Sequence, residues 1–132
     1  MDLKAYFDAA QGHGVLATAD ASGRVNVAIF ARPHVMDDGA VAFIMPQRLT
    51  HKNLQANPQA AYLFLESGPG YQGLRLTLTK IREEQDTELL YALRRRSYPA
   101  AQEKQEGSRF LVFFKVEKIL PVIGAAPKEE KI

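Results

Sequence analysis

Residues 70–81 alternate between apolar and polar side chains over most of their length. Leu74, Leu76 and Leu78 are interleaved with an arginine and two threonines, so every second side chain is apolar. A repeat of two residues is that of a β-strand with one face on a core and the other on polar surroundings. Residues 24–31 repeat the pattern with valine and isoleucine. These two segments predict a fold made mainly of strands.

Short turns separate these strands from several others. The segments DASG, residues 20–23, and DDG, residues 37–39, have turn composition. Short connections make neighbouring strands antiparallel, and antiparallel strands in this number tend to close around a core and hide their edges. The predicted architecture is therefore a small β-barrel with peripheral helices. The predicted strands are residues 14–19, 24–31, 40–45, 60–66, 70–81 and 110–119.

Three segments have helical patterns instead. Asp2 is predicted to cap a first helix, in which apolar residues of the segment 3–10 fall on one face. Thr50 is predicted to cap a short second helix that runs to Ala56, because an Asn-Pro dipeptide follows. Residues 83–97 are rich in Glu, Leu and Arg, with acids early and arginines late, as the helix dipole favours. They predict the third helix.

Composition narrows the class of protein. A length of 132 residues predicts a single domain, residues 1–132, and 46% hydrophobic residues can supply its core. There is no cysteine, which excludes disulfides, zinc–thiolate sites and a cysteine nucleophile. A net charge of +2 gives no strong field for nucleic acid or membrane, and the sequence has neither a signal core nor a spanning apolar run. We expect a cytoplasmic protein that binds neither.

Basic residues crowd the junction between the third strand and the second helix. The segment PQRLTHKNL, residues 46–54, contains Arg48, Thr50, His51 and Lys52. A helix start has unpaired N–H groups and a partial positive charge, so added cations are unfavourable there unless an anion offsets them. Spaced by two, Arg48, Thr50 and Lys52 would project to one side of an extended loop toward a phosphate. The alternative is that Thr50 only caps the helix and the two cations are solvated.

Other polar features carry weaker signals. His13 and His34 have no metal-ligand spacing, so we predict no metal site, while His51 is retained because it lies inside the basic cluster. The segment GPGYQGLRL, residues 68–76, offers Tyr71 and Gln72 beside glycines that allow close backbone approach. An ordinary loop entering a strand explains the same residues. No nucleophile elbow is present, so a hydrolase has no support.

The order of these segments resembles the pyridoxamine 5′-phosphate oxidase-like family of FMN-binding split barrels. The resemblance rests on HGVLATADASGRVNVAIF, then AFIMPQRLTHKNLQANPQAAYLF, then GYQGLRLTLTKI. It is detailed over residues 7–81 and holds only in outline beyond them. Its most specific part is a strand followed by Arg-x-Thr-x-Lys-Asn and an Asn-Pro dipeptide. It implies a mainly β fold, a six-stranded antiparallel split β-barrel of Greek-key type with two to three short helices.

The resemblance also implies a homodimer with FMN at the subunit interface. The isoalloxazine ring would lie along the second and third predicted strands, and the second subunit would cover it with the loop at Tyr71 and Gln72. A deazaflavin is an alternative cofactor, since it carries a phosphate at the corresponding place. The implied phosphate residues are Arg48, Thr50, His51, Lys52 and Asn53, and the implied ring residues are Asn26, Val27, Ala28, Ile44, Met45, Pro46 and Gln47.

Departures from the family pattern bear on activity. The chain has no tryptophan and lacks the Trp- and Arg-containing C-terminal segments of the oxidase proper, which puts vitamin B6 oxidation in doubt. There is no histidine after His51, unlike in haem-degrading relatives. The expected function is a flavin-dependent oxidoreductase acting on a small molecule. A non-catalytic electron carrier is the second hypothesis, and a nucleic-acid-binding barrel, favoured only by Arg94 and its two following arginines, is the third.

Overall fold

The computed structural model describes residues 1–94 and 107–124, and within them seven strands form one antiparallel sheet. The strands follow the order β2-β1-β5-β6-β7-β4-β3 across the sheet. In chain order the elements are α1 (Leu3–Ala9), β1 (Gly12–Ala19), β2 (Val25–Ile29), β3 (His34–Val35), β4 (Val41–Pro46), α2 (Leu49–Ala56), β5 (Gln59–Glu66), β6 (Gly73–Gln85), α3 (Glu88–Leu93) and β7 (Arg109–Pro121).

The topology is a Greek key. Strands β5, β6 and β7 form a meander, and β4, which precedes them in the chain, pairs with β7 at its far side. The connection from β4 to β5 contains α2 and passes from one side of the meander to the other. The predicted mainly β, antiparallel fold with peripheral helices is confirmed. The seventh strand, β3, has only two residues and escaped the sequence pattern for that reason.

Two long strands curl the sheet. Strands β6 and β7 each have 13 residues and pair along most of their length. The first half of β6 also pairs with β5, and the first half of β7 pairs with β4. Register shifts between Thr77 and Leu78 and between Lys80 and Arg82 bend this central pair. The bend lets the two wings of the sheet curve toward each other around one core.

The core is aromatic and aliphatic, and it lies inside this curve. Tyr62, Phe43 and Phe64 pack ring against ring at its centre, and helix α1 adds Phe7. Leu74, which the alternating pattern assigned to the inner face, is buried as predicted, together with Leu76 and Leu78. A smaller cluster under α3 covers the outer face of β4 and β7, and it contains Ala42, Leu90, Leu111 and Phe113.

The first helix agrees with its prediction and the third does not. Asp2 caps α1 by accepting a hydrogen bond from the Ala5 N–H at 3.1 Å. The predicted helical start at residue 83 is wrong, because residues 82–85 extend β6 and pair with buried residues of β7. This pairing overrides helical propensity. Thr87 caps α3 instead, and the predicted end at residue 97 lies outside the described residues.

Across residues 1–94 and 107–124, each helix is too short or too polar to pass through a lipid bilayer.

Candidate functional site

Helix α2 begins without a side-chain cap. Arg48 occupies the N-cap position with extended backbone, and no side-chain hydrogen bond closes this end of the helix. The predicted capping role of Thr50 is wrong, because the helix starts before it and places it in the first turn. The first intrahelical bond runs from the Lys52 N–H to the Arg48 carbonyl at 2.9 Å. The N–H groups of Leu49, Thr50 and His51 therefore have no acceptor within the helix.

The helical start also changes which side chains share a face. The expectation that Arg48, Thr50 and Lys52 project together from an extended loop is wrong, because residues two apart lie on opposite sides of a helix. Thr50 is buried and Lys52 is exposed. Arg48 and Lys52, four residues apart, share the solvent side. A ligand at this helix end would meet two cationic side chains and the first-turn N–H groups.

The side of α2 that faces the sheet is fixed by a buried hydrogen bond, a ring stack and packing in the core. The Asn53 amide donates to the Thr18 hydroxyl of β1 at 3.1 Å, and both residues are buried. The His51 ring stacks on Phe110 of β7, with ring centroids 3.7 Å apart and planes 19° from parallel. Leu54 packs into the main core. Three contacts therefore hold α2 at a defined depth and rotation on the sheet.

An open pocket of about 300 Å³ lies against this helix end. Its lining combines two cationic, two amide and one imidazole side chain, and the first turn of α2 contains no acidic residue. A helix start normally favours acids, so this one is suited to an external anion instead. The lining residues are Gln47, Arg48, His51, Lys52 and Gln55.

One carboxylate lies behind the pocket. Glu83 of β6 faces three polar side chains: the Nε2 atom of His51 at 3.1 Å, the Nε2 atom of Gln55 at 2.9 Å and the Nζ atom of Lys80 at 2.8 Å. Burial alone would raise the pKa of Glu83, but hydrogen bonds from Lys80, Gln55 and His51 lower it from 4.5 to about 2. Glu83 is therefore ionised at neutral pH, and His51 directs its ring nitrogen inward to it.

The residues predicted to meet the cofactor ring lie on β2, on β4 and in the turn that leads from β4 into α2. Helix α2 contacts β1, β2 and β4, so the segments 26–28 and 44–47 are near one another. Met45 is fully buried in the core and Ile44 packs toward the α3 cluster, so a ligand at the outer edge of β4 would meet the backbone here rather than these side chains. Strand β3 pairs only with Val41 and Ala42, so within the described residues no strand pairs with the outer edge of β4 beyond them.

Tyr71 and Gln72 lie far from this junction within one chain. The Gln72 carbonyl accepts from the Glu66 N–H at the end of β5, whereas α2 leads into the start of that strand. An eight-residue strand is about 25 Å long. Tyr71 is 69% exposed. The structure thus brings the other predicted residues together around α2 and leaves this pair at the opposite end of the sheet.

Sequence reasoning missed two residues of the arrangement. Gln55 lies four residues after His51, so it joins the pocket face as soon as the helix is known to begin at Leu49. The i, i+4 spacing was the available signal. Glu83 was assigned to a helix, and no local pattern indicates that it meets His51, 32 residues earlier. Among the residues that the structure describes, no three His, Asp or Glu side chains converge as a metal site.

The fold occurs in several solved structures. An FMN-binding protein from Syntrophomonas wolfei aligns with a TM-score of 0.73 and 20% identity, over 92% of this chain and 84% of that one. A protein named F420 reductase aligns with a TM-score of 0.62 and 19% identity, over 83% and 89% of the two chains. A proposed pyridoxamine 5′-phosphate oxidase from Lactobacillus delbrueckii aligns with a TM-score of 0.66 and 16% identity, over 91% of this chain and 92% of that one. These likenesses establish a shared fold.

A match to a family of sequences identifies the chain more directly. No curated protein matches it. The sequence model described as pyridoxamine 5′-phosphate oxidase, however, matches residues 4–122, which include every described strand and the whole of the pocket. The predicted resemblance is confirmed, and the chain belongs to the pyridoxamine 5′-phosphate oxidase family.

Proposed function

We propose that this protein is a homodimeric FMN-binding oxidoreductase that acts on a small molecule. The observation that carries the proposal is the uncapped start of α2, where Arg48 and Lys52 share a face and no acid occupies the first turn. The phosphate of FMN would accept from the N–H groups of Leu49, Thr50 and His51. Arg48 would add a bidentate contact and Lys52 a second positive charge.

The remaining proposed contacts hold the flavin ring. Backbone groups of Asn26, Val27 and Ala28 on one side and of Ile44 and Met45 on the other would meet its polar edge. Pro46 has no N–H and would contribute only its carbonyl, while the exposed Gln47 side chain would extend the contact. The buried Asn53 would act by fixing α2 to β1 through Thr18.

A second copy of the chain would complete the site. Val25, Val27 and Ile29 of β2 expose their side chains on one face, which is the composition of a surface covered by a partner. Tyr71 and Gln72 lie too far from α2 to reach a ligand there in the same chain. In a homodimer, this loop of one subunit would cover the ring bound by the other.

The bound flavin would supply hydride or electron transfer, and this chain would supply orientation and control of access. A deazaflavin-dependent reductase is the second candidate, favoured by the likeness to the F420 reductase. An electron carrier without a substrate of its own would use the same cofactor contacts.

The first experiment is the absorption spectrum of the purified protein and the mass of the cofactor released from it. A yellow protein that releases FMN supports the proposal, and a released deazaflavin favours the second candidate. A colourless protein that does not bind added FMN contradicts the FMN oxidoreductase and the FMN carrier, and one that also fails to bind added deazaflavin contradicts the second candidate. Steady oxidation of NADH or NADPH with an acceptor would distinguish an enzyme from a carrier.

A pair of substitutions tests the phosphate assignment. Arg48→Ala with Lys52→Ala is expected to weaken FMN binding about 100-fold, because two charge-assisted contacts are lost. Lys4→Ala with Lys118→Ala removes the same charge from exposed positions elsewhere and serves as the matched control. Fluorescence titration measures both. Equal affinities in the two double variants would remove the phosphate from this helix end.

A further inference from the structure

Glu83 joins two residues of the pocket to the centre of the sheet. Its Oε2 atom lies 3.1 Å from the Nε2 atom of His51, and its Oε1 atom accepts from Gln55 at 2.9 Å. His51 and Gln55 are one helical turn apart on α2, and both line the pocket. Gln55 also donates to the His51 carbonyl at 3.2 Å. One carboxylate of β6 therefore restrains the helix at two points.

The placement is unusual on electrostatic grounds. An ionised carboxylate beside a pocket with Arg48 and Lys52 opposes the binding of an anion there. Lys80 lies 2.8 Å from the Glu83 Oε1 atom, and its side chain is mostly buried, so it offsets this charge locally. The Glu83–Lys80 pair therefore restrains α2 at little net electrostatic cost to the anion site.

We propose that Glu83 is a positioning residue of the phosphate site. This inference rests on the proposed function. By holding His51 against Phe110 and Gln55 against β6, it sets the rotation of the first turn of α2. That rotation decides whether Arg48, Lys52 and the first-turn N–H groups point at one anion. Glu83 itself does not touch the phosphate.

This role and a simple charge effect predict opposite results. In Glu83→Gln the side chain keeps its size but has one acceptor oxygen for three donors. If Glu83 acted only as a nearby negative charge, the substitution would tighten phosphate binding. If it positions the helix, the substitution weakens phosphate binding, because the cations and N–H groups no longer converge.

The experiment titrates inorganic phosphate into the full chain and follows the backbone amide NMR signals of Leu49, Thr50 and His51. We expect about tenfold weaker phosphate binding in Glu83→Gln, since hydrogen bonds to a charged group are lost. Glu84→Gln is the matched control: Glu84 is adjacent in β6 and bonds Arg82 and Thr87 instead. We expect it to bind phosphate like the wild type. Glu83→Asp, which keeps the charge, should recover part of the affinity.

Flavin titrations give a readout that a merely structural role would not move. FMN and riboflavin differ by the phosphate, so Glu83→Gln is expected to weaken FMN about tenfold and leave riboflavin unchanged. Equal losses of affinity for FMN and riboflavin would indicate general destabilisation and overturn the assignment.

If Glu83→Gln does not fold, a second variant replaces it: Gln55→Ala removes one restraint from an exposed helix face. We then expect about threefold weaker phosphate binding, and wild-type affinity would overturn the inference.

The outcomes separate the two proposals. Unchanged or tighter phosphate binding by Glu83→Gln, with normal binding by the wild type, overturns the role of Glu83 and leaves the proposed function standing. A wild type that binds neither phosphate nor FMN overturns the proposed function, and this inference with it.

Discussion

Strands β2 and β6 have the same sequence pattern and opposite surroundings. Both alternate apolar and polar residues. In β6, Leu74, Leu76 and Leu78 are at most 2% exposed. In β2, Val25, Val27 and Ile29 are 77%, 65% and 74% exposed. The alternation shows which residues share a face, but it does not show whether the same chain covers that face.

The difference follows from position in the sheet. Strand β6 lies between β5 and β7 and turns its leucines into the core. Strand β2 lies at one edge, and among the described strands only β1 pairs with it. A row of exposed valine and isoleucine on an edge strand is a site for association. It is the basis for proposing that a second copy of the chain covers β2.

The largest expected difference between the strands is in the stability of the single chain. Leu76→Ala should lower the free energy of unfolding by about 2–5 kcal/mol, because it leaves a cavity in the core. Val27→Ala should change it by less than about 0.5 kcal/mol at low protein concentration, since an exposed side chain loses few contacts. Urea denaturation measures both free energies of unfolding. Equal losses of stability in the two variants would contradict the contrast between a covered β6 and an uncovered β2.

For self-association we expect a substitution in β2 to have a larger effect than one in β6. Val27→Asp places a charge on the face proposed to meet the partner, and we expect about 100-fold weaker dimerisation. Its far-UV circular dichroism should remain that of the wild type because the residue is exposed in the single chain. Sedimentation velocity over a range of concentrations measures the dimer. A wild type that remains monomeric would contradict the proposed homodimer, and a variant that dimerises normally would place the interface elsewhere.

The dependence of stability on acid pH tests whether the contacts of Glu83, at the polar end of β6, lie within one chain. The pKa of Glu83 is lowered from 4.5 to about 2, so its contribution to stability is complete above pH 4.5 and is lost as the pH falls through 2. The stability gap between the wild type and Glu83→Gln, on the order of 1–2 kcal/mol, should therefore close across that window. Because His51 and Lys80 belong to the same chain, the gap should not depend on protein concentration. A concentration-dependent gap would assign these contacts to an interface.

The sequence was sufficient for features with a local cause. Alternation and turn composition located six of the described strands. Asp2 was correctly identified as a cap because the N–H group that it accepts from lies only three residues away. The basic junction was also visible, since Arg48 and Lys52 conflict with a helix start wherever the helix begins. Each of these signals lies within a few residues of the structure that it predicts.

The errors have a cause beyond local pattern. Thr50 is a favourable capping residue, but β4 ends early enough for the helix to begin at Leu49. Residues 83–85 have helical composition, but pairing with β7 keeps them extended. The contact between Glu83 and His51 depends on that pairing and on the crossover through α2. Long-range pairing determined the last two of these, and no short segment contains that information.

The smallest expected effect concerns the turn that joins β1 to β2. The Asp20 Oδ1 atom accepts from the N–H and hydroxyl groups of Ser22 and from the Arg24 N–H, each at 2.9 Å. Asp20→Ala should speed amide hydrogen exchange in β2 about threefold and leave β6 unchanged, because only the edge strand depends on this turn.

The same effect should depend on pH. The hydrogen bond from the Arg24 N–H, followed by that from the Ser22 hydroxyl, lowers the pKa of Asp20 below 3.8. The contribution of Asp20 is therefore lost under acid, and exchange corrected for pH should converge in the wild type and the variant well below pH 3.8. Equal protection of β2 in both proteins at neutral pH would mean that a covering partner, rather than the turn, holds this strand in place.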